Sequence, residues 1–250
     1  MIANANPDGA DSGRAPEDAG APLPRSGLFG RRRGKRLTAR CDELLLTALP
    51  AIALDPTQPI KPRTLSENPA SAVWLEIGFG GGEHLAAVAQ AEPQALFLGC
   101  EAFHNGVAKA LVLVEERGLR NIRLYEGDAR DVVEALPEAA LDGIYLLYPD
   151  PWPKRRQRKR RFISDLTLTR LARAMREGAE LRFATDIDDK AGWTLARVLR
   201  SPHFSWTPLS AADWREPWAG WSSTRYEAKA LREGRRPAYF TFVRNAAPVP

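Results

Sequence analysis

The stretch VWLEIGFGGGEHLAAVAQ, residues 73–90, decides the fold. Its opening VWLEI is bulky and β-prone and predicts a buried strand over residues 73–77. Residues 83–90 predict a helix. Between them lies EIGFGGG, residues 76–82, where Gly78 and Gly80 allow a sharp turn and a close approach of the backbone to a ligand. Outward from this unit, strand and helix alternate. Strands are expected at 95–99, 122–125, 141–148, 180–184, 205–208 and 238–244, and helices at 102–116, 129–136, 163–175 and 189–199. The helix over 102–116 sets Phe103, Val107, Leu111 and Val114 on one face, with Gly118 as its C-cap. This order predicts an α/β fold, a doubly wound Rossmann-like sheet that is mostly parallel with an antiparallel last strand.

The flanks read differently. Residues 1–30 are rich in Ala, Pro, Gly and Asp and hold almost no large apolar side chain, so burial cannot offset their ordering entropy. With RRRGKR at 31–36 they make an expected disordered basic arm, residues 1–36. Residues 37–70 predict a helix over 38–49, ended by Pro50, and a proline-rich extended linker over 55–69. The regular domain covers 71–245, and 246–250 is a tail.

The 250 residues are 44% apolar, enough for one packed core, and carry a net charge of +5. The charge is clustered: five of six residues are basic at 31–36, and seven of eight at 154–161. A solvated surface and an RNA contact weigh about equally for the first run. The second is wedged between a strand and a helix, which points to nucleic acid. Two cysteines and three scattered histidines offer no metal-ligand spacing, so no metal is expected. No apolar run reaches the length of a membrane span, and residues 1–25 lack a signal-peptide core. A cytoplasmic protein with no membrane partner is the expectation; monomer and homodimer stay open.

Acids mark the predicted strand ends. Glu76 precedes the first glycine, and a dinucleotide fingerprint would need glycine where Glu83 stands. Glu76 would also repel a pyrophosphate and suits a cationic cofactor such as S-adenosylmethionine (SAM). Glu101 ends the second strand, where a carboxylate accepts ribose hydroxyls. Asp128 follows the third strand and Asp150 the fourth. Any one of the four reads as a helix cap or a loop acid; the set in register points to a Rossmann-like methyltransferase.

The fourth strand runs into PDPWPKRRQRKRR, residues 149–161. Asp150-Pro-Trp-Pro-Lys154 with its basic run resembles the bacterial tRNA (guanine-N7)-methyltransferases. EIGFGGG, GCE at 99–101, GDA at 127–129, TD at 185–186 and STRYE at 223–227 support the likeness, which covers roughly residues 36–243. The resemblance implies a class I methyltransferase domain at 71–245, SAM as cofactor and tRNA as partner. It implies cofactor binding by Glu76, Gly78, Gly80, Glu101, Asp128, Ala129 and Asp150, and a catalytic role for Asp150. It also implies substrate contacts from Lys154, Asp186, Thr224, Arg225, Tyr226 and Glu227, and RNA contacts from Arg156, Gln157, Arg158, Lys159, Arg160 and Arg161. The target it implies is a guanine of the variable loop, methylated to 7-methylguanosine.

Guanine N7 carries a lone pair and no proton, so the reaction needs no general base. Positioning and electrostatics would supply the catalysis. Trp152 either stacks on the base or packs the turn. Trp214, Trp218 and Trp221 are expected to form one small packing cluster under a loop. An amino-group methyltransferase is disfavoured by the order Asp-Pro-Trp-Pro, and a non-catalytic RNA-binding protein by the four acids.

Overall fold

The computed structural model describes residues 30–66 and 69–249. The expectation for residues 1–29 therefore lies outside the described residues.

Seven strands form one sheet in the order β3-β2-β1-β4-β5-β7-β6. They are β1 (Val73–Ile77), β2 (Leu96–Glu101), β3 (Ile122–Glu126), β4 (Leu141–Leu147), β5 (Met175–Thr185), β6 (Phe204–Ser205) and β7 (Ala238–Arg244). The first five are parallel; β7 is antiparallel to β5, and β6 to β7. The sheet is thus the doubly wound, mostly parallel one that the alternating pattern predicts, with two antiparallel strands at its end.

Helices cover both faces because the parallel strands are apolar on both sides. On one face pack α5 (Ala129–Ala135), α6 (Asp165–Ala174) and α7 (Asp188–Val198), against Leu75, Ile77, Ile144 and Leu146. On the other lie α1 (Ala39–Thr47), α3 (Glu83–Ala91) and α4 (His104–Glu116), against Phe97, Leu124, Tyr145 and Leu147. α6 opens on a capping box between Ser164 and Thr167, which satisfies two end groups at once.

Three expectations about the flanks change. The first helix stops at Thr47, and Pro50 sits in the first turn of a new short helix, α2 (Leu49–Ile52), where its missing N–H costs nothing. The proline-rich segment is no free linker. Leu54 and Ile60 are buried, and their N–H groups donate to Leu124 O and Ala135 O. Residues 30–36 are docked on α4: His104 N–H donates to Arg32 O, and the Asn105 amide accepts from Gly34 and donates to Lys35.

The three tryptophans do not form one cluster. Trp218 and Trp221 meet edge to face and contact Tyr239. Trp214, in α8 (Ala212–Arg215), stacks on Phe240. Tyr239 and Phe240 are successive residues of β7 and point to opposite faces, so the tryptophans are divided between them.

Candidate active site

The strand order reverses between β1 and β4. The carboxyl ends of the strands open there on a cleft of about 570 Å³, where open α/β sheets bind ligands. It is lined by Gly78, Gly80, Glu101, Asp128, Ala129, Asp150 and Trp152, with Arg225 and Tyr226 reaching in from α9 (Arg225–Arg232).

Gly80 takes a left-handed φ of 60° and donates its N–H to Glu101 Oε2 at 2.7 Å. Phe103 N–H donates to Glu101 Oε1 at 2.9 Å. Burial raises the Glu101 carboxyl above the ordinary range, and these backbone donors pull it back. The loop is held from behind by Gly106 of α4, where a Cβ would stand 2.2 Å from Gly80 O. Gly106→Ala should therefore cost about 1–3 kcal/mol, as overpacking does. Displacing the loop should weaken SAM binding as well. Thermal unfolding and calorimetry check this; native values for both would contradict it.

Asp128 caps α5, accepting from Arg130 N–H, and pairs with the Arg130 guanidinium. Glu76 departs from expectation. Strand alternation turns its side chain away from Leu75 and Ile77 toward α3, where it is buried at 2.8 Å from His84 Nδ1 and does not line the cleft. A buried apolar run hides which face each residue takes.

The basic run becomes a 3-10 helix, Arg155–Arg160. Lys154, Arg155, Arg156 and Lys159 are exposed, and Gln157 is half-buried. Arg158 pairs with Asp189, and the Arg160 guanidinium lies 4.9 Å from the centre of the Trp152 ring. Arg161 departs from the expected surface placement: its side chain is 1% exposed and joins Asp189 and the carbonyls of Pro151 (3.2 Å) and Trp152 (3.3 Å). Arg161→Ala leaves those carbonyls without their donor. The expected cost is about 2 kcal/mol, a Tm loss of roughly 4–8 °C; an unchanged Tm would contradict it.

Of the remaining predicted substrate residues, Arg225 and Tyr226 enter the cleft, with Arg225 Nη2 3.2 Å from the Tyr226 hydroxyl. Thr224 instead caps α9, accepting from Glu227 N–H at 3.1 Å. The buried Glu227 carboxylate accepts from Trp221 Nε1 at 2.8 Å and from the Tyr239 hydroxyl. Asp186 pairs with Arg235 at 2.6 Å, and Lys154 does not line the cleft.

Two features escaped the sequence reading. Gly30 and Arg31 line the cleft, with Gly30 beside Asp150. Lys190 is buried beneath the Asp150 turn. Its place at the head of the α7 spacing Lys190, Thr194, Val198, all buried, was the available signal.

A family model described as "Putative methyltransferase" matches residues 70–239. The tRNA (guanine-N(7)-)-methyltransferase of Nitrobacter winogradskyi is 48% identical over 94% of this chain and 96% of its own length. Those of Rhodopseudomonas palustris (strain BisA53) and Mesorhizobium japonicum are 52% and 51% identical, over 88% and 87% of this chain and 89% and 94% of theirs. The chain belongs to the tRNA (guanine-N(7)-)-methyltransferase family. Among solved structures, the 16S rRNA methyltransferase KamB aligns with a TM-score of 0.50 and 17% identity, over 86% of this chain and 99% of that one. That likeness concerns the fold alone.

SAM, the methyl donor of such enzymes, suits the cleft. Its volume is that of a small-molecule site. Each oxygen of the Glu101 carboxylate takes one backbone N–H and keeps acceptor capacity for a ribose hydroxyl.

Proposed function

We propose that this protein transfers a methyl group from SAM to N7 of the variable-loop guanine of tRNA, forming 7-methylguanosine, in the cytoplasm. The observation that carries the reading is the placement of Asp150. It lies in the cleft at the sheet's switch point, and the exposed cations Lys154, Arg155, Arg156 and Lys159 follow it directly. About half-identity to tRNA (guanine-N(7)-)-methyltransferases over nearly the whole chain supports the activity.

Bound SAM would supply the electrophilic methyl group. Glu101 would hold its ribose, the Gly78–Gly80 backbone would approach it closely, and Asp128 and Ala129 would border the adenine. On the other side, Asp150 would accept hydrogen bonds from guanine N1–H and the exocyclic amino group. That aims N7 at the methyl carbon. As N7 is alkylated the ring becomes cationic, and the fixed carboxylate stabilises the developing charge. Arg225 and Tyr226 would border the base, and the exposed basic run would hold the RNA backbone.

Chain scission at 7-methylguanosine tests the position. Unmodified tRNA treated with protein and SAM, then reduced and exposed to aniline, should break in the variable loop. Breakage elsewhere would remove the variable-loop assignment, and intact RNA would remove the N7 chemistry.

A further inference from the structure

The turn that carries Asp150 cannot hold itself. Pro149, Pro151 and Pro153 alternate through it and have no N–H to donate. Tyr148 and Trp152 take left-handed φ values of 46° and 40°, which side chains disfavour. Such backbone persists only where its surroundings over-determine it. Here two buried cations bind four consecutive carbonyls. Arg161 takes those of Pro151 and Trp152, and the Lys190 ammonium takes those of Pro149 and Asp150.

Lys190 sits where helix physics disfavours it. It lies in the first turn of α7, at the positive end of the helix, behind Asp188 and Asp189, which suit that position. It is 3% exposed. A local rule broken at a buried site beside a strained turn marks a functional constraint.

We propose that Lys190 is a positioning residue for methyl transfer: by holding the carbonyls of Pro149 and Asp150 it fixes where the Asp150 carboxylate meets the guanine. The inference rests on the reading of Asp150 given above. The charged groups facing the amine are Asp150 from the turn, Arg161 from the end of the basic run and Asp186 from the end of β5. Burial, with Arg161 adding to it, outweighs the two carboxylates and pushes the amine down to about 7. Protonated, the amine makes both of its hydrogen bonds to the turn charge-assisted; neutral, it keeps two N–H donors and makes weaker ones. The clamp therefore loosens, and kcat falls, as pH rises through about 7.

The test compares native protein with Lys190→Met by steady-state methylation of tRNA from pH 6 to 8.5, with SAM affinity and Tm measured alongside. The expected result is a kcat lower by about 10- to 100-fold at pH 6.5, the size of loss that a small misplacement causes. KM for tRNA and SAM affinity should stay near native, and the downward step near pH 7 should vanish. Should Lys190→Met fail to fold, Lys190→Gln takes its place: its amide keeps N–H donors but does not titrate, so the step near pH 7 should vanish, and a step that persists overturns the proposal. Native kcat in a folded variant overturns the proposal. So does a loss of SAM affinity equal to the loss of kcat, which would make Lys190 a general strut. Native protein that forms no 7-methylguanosine defeats the functional reading itself, before any variant is compared.

Discussion

Asp150→Ala is expected to slow formation of 7-methylguanosine by about 10²- to 10³-fold while lowering the melting temperature only slightly, through the lost attraction to the Lys190 ammonium. The two halves of this expectation come from different atoms. Stability depends on the Asp150 carbonyl, which Lys190 binds and which alanine retains. The carboxylate makes no hydrogen bond among the described residues and lines the cleft. Its removal should leave N7 unaimed and the cationic product ring uncompensated. Asp150→Asn separates the two effects. It keeps the shape, loses the charge and turns one acceptor into a donor facing the guanine's own donors. A loss as large as that of alanine is therefore expected. Near-native turnover in either variant would move the catalytic charge elsewhere.

Charge reversal on the exposed part of the basic run should have the second largest effect. Arg155→Glu with Arg156→Glu is expected to weaken tRNA binding by about 10- to 100-fold at moderate salt and to lower the salt slope by about two. Both side chains are exposed, and neither lines the cleft, so SAM affinity should not change. Filter binding across a salt series and calorimetry with SAM give the two readouts. If SAM affinity falls as well, the run is a structural element of the cleft. The choice of residues depends on the structure: reversal at Arg158 or Arg161 would break pairs with Asp189 and confound binding with folding.

The sequence displays the framework well, because hydrophobic period and glycine placement report backbone geometry directly. The strand over 73–77 and the turn at Gly78–Gly80 are found where their residues predict them. Glu101 was visible because it ends its strand, at the edge where ligands bind. Direction within a crowded stretch was not visible. Glu76 turns to His84 because alternation along β1 decides its face, and a run of apolar neighbours conceals that phase. Arg161 looks like its six basic neighbours in composition, yet it alone is buried. Glu227 and Asp186 carry substrate-like charges, but tertiary partners far along the chain, Tyr239 and Arg235, occupy them. Lys190 was legible only as a polar residue on a buried helical face.

Among the described residues no helix is long and apolar enough to cross a membrane.

The central claim is that the cleft aims guanine N7 at the SAM methyl group through Asp150. Incubating native protein and Asp150→Ala with unmodified tRNA and methyl-labelled SAM, followed by nucleoside analysis, tests it most directly. Label is expected in 7-methylguanosine with native protein and almost none with the variant. Label in a different nucleoside, or equal label from both proteins, would contradict it.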